Sequence, residues 1–150
     1  MDNKFKIFLS GGITGINAEE NSAWRNEVYS QFLINHRDCM VINPAAHFNP
    51  NDGTSDELEK EGMVFCLSHL RTSDIVIANL NKTDSIGTAQ ELILAYELNI
   101  PIIGFVKYSL LDKIHPWIKA EATKIFTYYD GDEPPLVDVI TYVIRHYLNP

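Results

Sequence analysis

Five short apolar runs constrain this chain more than any other feature. They are FKIFLSGG from Phe5, CMVINP from Cys39, SDIVIANL from Ser73, PIIGFV from Pro101 and KIFTYYD from Lys124. Each is continuous rather than alternating. A strand with one wet face alternates, whereas a strand of a parallel sheet covered on both faces reads as an unbroken apolar run. Helical stretches separate the runs, so the expected fold class is α/β: a single-domain, doubly wound parallel sheet of about five strands over residues 1–150.

The helical stretches show apolar spacing near 3.6. NAEENSAWRNEVYSQFLINH places Trp24, Val28, Phe32 and Leu33 on one side, and Asn17 with Glu20 fits a capping box. Thr54 with Glu57 is a second box, opening a helix from about Asp56 to Arg71 with Leu58, Met63, Phe65, Cys66 and Leu70 available for its inner face. GTAQELILAYELN is a third helix, SLLDKIHPWIKAEAT a mixed loop and helical turn, and PLVDVITYVIRHYLN a C-terminal helix with Pro134 or Pro135 near its first position.

The 150 residues are 45% hydrophobic, enough for one core, and carry a net charge of −8. That balance argues against binding to nucleic acid polymers, which calls for a basic face. The two cysteines, Cys39 and Cys66, form no CxxC pair and read as buried free thiols in a reducing compartment. The apolar part of the N-terminal segment is too short for a signal peptide, and no run approaches the ~20 residues of a membrane span. A cytoplasmic protein with no membrane partner is expected.

Doubly wound sheets bind ligands beyond the C-terminal ends of their strands. Three segments lie there: SGGITG, NPAAHF and NLNKTDSIGTAQE. In the last, Glu91 has two readings. TAQE is itself a capping box, with Thr88 as cap and Glu91 reaching back to its N–H. Alternatively the carboxylate points into a pocket, where the helix N-terminus favours the ionised form and suits it to nucleophilic attack. Asp84 sits in a polar loop, where an acid commonly forms a turn. Asp74 opens a strand, at the end of the sheet away from ligands. In SGGITG, Gly11 and Gly12 let backbone approach a ligand, and Ser10 and Thr14 add hydroxyls. The loop has neither the GxGxxG spacing nor a GK[ST] ending. The histidines form no HxxxH or HxH pair, no zinc spacing is present, and there is no GxSxG. No metal and no cofactor is expected.

FLSGGITG, VINPA, LRTSDIVIANL, DSIGTAQELILA and IPIIGF, between Phe5 and Phe105, together resemble the nucleoside 2-deoxyribosyltransferase family and related small phage and bacterial proteins. The most specific piece is the aspartate followed by GTA-x-E. The resemblance implies a flavodoxin-like fold, a homo-oligomer, and cleavage of a nucleoside's N-glycosidic bond with transfer of 2-deoxyribose to a free nucleobase. By motif, Glu91 would be the nucleophile and form a glycosyl–enzyme intermediate. Asp84 would bind the 5′-hydroxyl, and Asp74 would contact the base and help protonate it.

Gly87 belongs to the GTA motif, and Ile86 makes the acid-to-GTA spacing one residue longer than usual. Phe8 stands where members usually have a tyrosine that tunes the nucleophile. His115 stands near the place of an asparagine donated by a neighbouring subunit, with Trp117 as a pocket wall. Trp117, Tyr128 and Tyr142 are available for an interface. The strand-one loop has no arginine to meet a phosphate, which favours nucleosides over nucleotides. Hydrolysis of nucleosides or nucleoside monophosphates is the nearest alternative, and a non-catalytic nucleotide-sensing module the alternative of another class.

Overall fold

The computed structural model describes residues 4–12, 18–36, 38–47 and 55–149. Its strands are β1 (Phe5–Ser10), β2 (Cys39–Ile42), β3 (Ile75–Asn79), β4 (Ile102–Lys107) and β5 (Lys124–Tyr128). Its helices are α1 (Ala18–Asn35), α2 (Asp56–Arg71), α3 (Ile86–Glu97), α4 (Pro116–Glu121) and α5 (Leu136–Val143). All strand pairs are parallel and the order is β2-β1-β3-β4-β5. This is the flavodoxin-like order, whose ligand crevice lies where the winding reverses, between β1 and β3.

Side-chain alternation along the strands divides the core in two. Ile7 and Leu9, Ile75 and Ile77, Ile103 and Phe105 meet Trp24, Val28 and Phe32 of α1 and Val139, Ile140 and Val143 of α5. Phe8, Val76, Ala78, Ile102 and Val106 meet Leu70 of α2, Leu92 and Ala95 of α3 and Ile118 of α4. Ser10 follows Phe8 by two residues on β1, so it faces the α2–α3 side. Gly104 of β4 makes that side fit: a Cβ there would stand 2.5 Å from Leu80 Cδ1.

The local signals are stronger in some places than in others. α3 ends in a Schellman motif: Ile100 N–H donates to Ala95 O at 2.9 Å and Asn99 N–H to Tyr96 O at 3.1 Å, with Asn99 at φ 57°. Leu33 of α1, expected inward, is exposed. So are Leu58 and Met63 of α2. Sixteen helical residues span about 24 Å, more than the roughly 16 Å of β3, and only the C-terminal half of α2 packs on the sheet. Pro135 is the cap residue of α5, next to its first helical position as expected. The Asn17–Glu20 and Thr54–Glu57 boxes involve Asn17 and Thr54, and Thr14 stands in the strand-one loop; these three lie outside the described residues. For α2 the observed cap is Ser55, whose side chain accepts from Leu58 N–H at 3.2 Å.

Candidate functional site

Glu91 is reached through the way α3 begins. Ser85 is the cap of this helix, its hydroxyl accepting from Thr88 N–H at 3.5 Å. Thr88 is therefore the third helical residue and Glu91 the sixth, in the second turn. Thr88, Leu92 and Ala95 are buried and mark the inner face, and Glu91 lies on the same stripe. The half-buried Glu91 carboxylate does not turn back to cap its helix. Its Oε1 accepts from Ser10 Oγ at 3.1 Å, across the crevice at the end of β1. The capping-box reading of TAQE is thereby corrected: the cap is already supplied three residues earlier.

Burial pushes the Glu91 carboxyl up to about 7, against the Ser10 hydrogen bond and the charge of Arg25, which both lower it. The helix N-terminus was expected to favour ionisation, but one turn further in, desolvation dominates. Cys66 of α2 feels the same carboxylate; burial first and Glu91 second push its thiol up to about 12, while Arg25 opposes them. Thr88 is buried, and its Oγ1 has no hydrogen-bond partner among the described residues.

Arg25 was not singled out by sequence reasoning, yet its side chain is 1% exposed. Its guanidinium lies over the Trp24 ring, 4.7 Å from the centroid. Desolvation lowers it to about 10, with Glu91 the leading opposing influence, so it stays a cation at neutral pH. The available signal was its place in the buried stripe of α1, three residues before Val28 and next to Trp24. A cation there must find partners or leave the core.

The other expected residues divide between the two ends of the sheet. Gly11 and Gly12 are buried after β1. A Cβ on Gly11 would lie 3.2 Å from Asn79 Cβ and 3.3 Å from Trp24 Cζ2, so glycine lets β1 and β3 end close together. Phe8 is fully buried in the α2–α3 core, one step below Ser10. The hydroxyl on Glu91 thus comes from Ser10, not from the Phe8 position. Asp84 is exposed in the loop between β3 and α3, and Gly87 is exposed in the first turn of α3. His115 is exposed and caps α4, its Nδ1 accepting from Trp117 N–H at 3.2 Å.

Asp74 stands at the far end. Lys6 N–H donates to its Oδ2 at 2.7 Å, and Asp74 N–H donates to Lys6 O at 2.8 Å. These bonds continue the β1–β3 ladder beyond Ile7 and Ile75, whereas Ser10 pairs with Ala78. About four residues of strand, roughly 13 Å, separate Asp74 from the crevice. Its expected contact with the base is corrected on that ground: within one chain it is a ladder residue. Tyr128 also turns inward rather than toward an interface, accepting from Asn81 Nδ2 at 2.7 Å, while Tyr142 packs against the α1–α5 core. Trp117 is 74% exposed.

No cluster of three or more metal-binding side chains exists among the described residues. No helix among them is long and apolar enough to cross a membrane. A shallow cavity of about 310 Å³, lined by residues including Tyr96, Asn99 and Glu121, opens where α3 and α4 end. It lies at the N-terminal end of β4, away from Glu91.

No family model matches the chain, and no curated protein does. Solved structures share its fold. The 2-deoxyribosyltransferase of Bacillus psychrosaccharolyticus aligns with a TM-score of 0.63 at 21% identity, over 81% of this chain and 85% of that one. A conserved protein from Enterococcus faecalis V583 gives 0.66 at 14% identity, over 93% and 98%. The CMP N-glycosidase of Clostridium botulinum gives 0.57 at 17% identity, over 91% and 98%. The class defined by fold and crevice is a flavodoxin-like α/β domain with a half-buried glutamate at its switch point.

Proposed function

We propose that the chain transfers 2-deoxyribose between nucleobases, with Glu91 as nucleophile. The observation that carries this is the Glu91 carboxylate on the inner face of α3, hydrogen-bonded to Ser10 where β1 ends. Two proteins of the same fold act on N-glycosidic chemistry by name, a 2-deoxyribosyltransferase and a CMP N-glycosidase.

In the proposed reaction a Glu91 oxygen bonds to the anomeric carbon as the carbon–base bond breaks, and the bonding pair leaves with the base nitrogen. An incoming base then displaces the carboxylate, giving retention overall. Asp74 lies at the other end of the sheet within one chain, so the departing base takes its proton from solvent and the incoming base returns one as it bonds to the anomeric carbon. The backbone of Gly11 and Gly12 and the Gly87 turn border the sugar, and Asp84 binds its hydroxyl. In a homo-oligomer, His115 reaches the site of a neighbouring copy; exposed Ile86 and Trp117 support such an interface. No metal and no cofactor takes part.

The hydrolytic reading is favoured by the CMP N-glycosidase neighbour. Arg25, however, is buried with its N–H groups committed to protein oxygens, which disfavours it as a phosphate ligand. Incubating the protein with a deoxynucleoside and a different free base is the test. A new nucleoside supports transfer, provided Glu91→Gln abolishes it. Free base without a new nucleoside selects hydrolysis. Neither product, with a ligand-dependent rise in melting temperature, selects a binding module.

A further inference from the structure

Arg25 has an arrangement that packing does not require. Its Nη1 donates to Leu9 O at 3.1 Å and its Nη2 to Gly11 O at 3.1 Å. Leu9 and Gly11 flank Ser10, whose hydroxyl donates to Glu91. One guanidinium therefore grips the chain on both sides of the residue that holds the carboxylate. Nη1 also donates to Asn43 Oδ1 at 3.2 Å, and Nε to Asn21 Oδ1 at 3.0 Å, so β2's end and α1 are tied to the same group. All four acceptors are neutral oxygens. A buried guanidinium whose hydrogen bonds all go to neutral oxygens is costly, and apolar residues serve packing better.

We propose that Arg25 is a positioning residue for Glu91: it clamps both flanks of Ser10 and supplies the carboxylate's counter-charge without meeting the substrate. This rests on Glu91 being the nucleophile. Among the described residues, Ser10 from β1 and Arg25 from α1 act on Glu91, and Cys66 from α2 feels its charge. The thiol, pushed up to about 12, carries no charge in the working range. On α3 itself, Thr88, Leu92 and Ala95 share the stripe and are uncharged. Arg25 is thus the cation whose loss the carboxylate feels.

The experiment is an NMR titration of the Glu91 side-chain carboxyl, assigned by its disappearance in Glu91→Gln, combined with the pH dependence of kcat. Arg25→Met keeps length and removes charge. Its Glu91 midpoint should rise by about one pH unit. Its kcat at neutral pH should fall about 10- to 100-fold, with KM changed less than about threefold and part of the loss recovered near pH 9. Arg25→Lys should hold the midpoint within about half a unit of the native protein yet lose about tenfold in kcat, because a point charge cannot span both carbonyls. Should Arg25→Met not fold, Arg25→Gln gives the same readings. An unchanged Glu91 midpoint in a folded, uncharged variant would overturn the counter-charge, and unchanged kcat in Arg25→Lys the clamp. The titration needs no turnover, so an absence of nucleoside chemistry would sink the proposed reaction while leaving this reading to its own result.

Discussion

Ser10 Oγ donates to Glu91 Oε1 at 3.1 Å, joining the end of β1 to the second turn of α3 across 81 residues of sequence. The contact places a carboxylate titrating at about 7 in the crevice between β1 and β3.

Glu91→Gln should abolish the chemistry while leaving the fold intact. Loss of a nucleophile of this kind lowers kcat by about 10³-fold or more. Product formation followed by chromatography checks the loss, and circular dichroism checks the fold.

The same substitution should stabilise the protein above neutral pH. The folded carboxyl binds its proton up to about 7, against an ordinary value of 4.5 in the unfolded chain. Between these values the folded state holds more protons, so stability is fully present below 4.5 and falls as pH rises through about 7. Relative to the native protein, Glu91→Gln should gain on the order of 2 kcal/mol at pH 8, a rise in Tm of roughly 4–8 °C, allowing for partial exposure. The gain should vanish near pH 4.5, as melting curves across pH will show.

In the proposed reaction the ionised carboxylate attacks, so kcat/KM should rise with pH along a limb with its midpoint near 7. Ser10→Ala removes a bond that favours the charged form. The limb should move upward, and activity at pH 7 should fall about 5- to 10-fold, the worth of roughly 1 kcal/mol. An unmoved limb would separate Ser10 from the titration.

Asp74→Ala should divide stability from chemistry. It loses the acceptor for Lys6 N–H. A cost of about 1 kcal/mol is expected in urea unfolding for this exposed bond. Turnover should stay within about twofold, since the residue lies at the other end of the sheet. A collapse in kcat with stability unchanged would restore a catalytic role for Asp74.

Gly104→Ala drives a methyl against Leu80 Cδ1, 2.5 Å away in the undisturbed structure. The clash lies in the core next to β3, and destabilisation of about 1–3 kcal/mol is expected by the same measurement.

The sequence by itself determined the five strands, their parallel arrangement and the placement of GTAQE at the ligand end, because continuous apolar runs and helical spacing are local signals. It also determined the helix stop at Asn99, where local backbone chemistry suffices. It did not decide which polar groups meet. Thr88 looks like the cap in the sequence, and only the observed start of α3 assigned the role to Ser85 and freed Glu91. Strand order along the chain put Asp74 at the end away from ligands while the family resemblance gave it a role at the base, and only the β1–β3 register, with its bond to Lys6 N–H, decided between the two. Arg25 reads as an ordinary helix cation until α1 is laid on the sheet and its guanidinium meets the carbonyls of Leu9 and Gly11. These contacts join residues 14 to 81 positions apart. No local pattern encodes them, because they exist only once both faces of the sheet are covered.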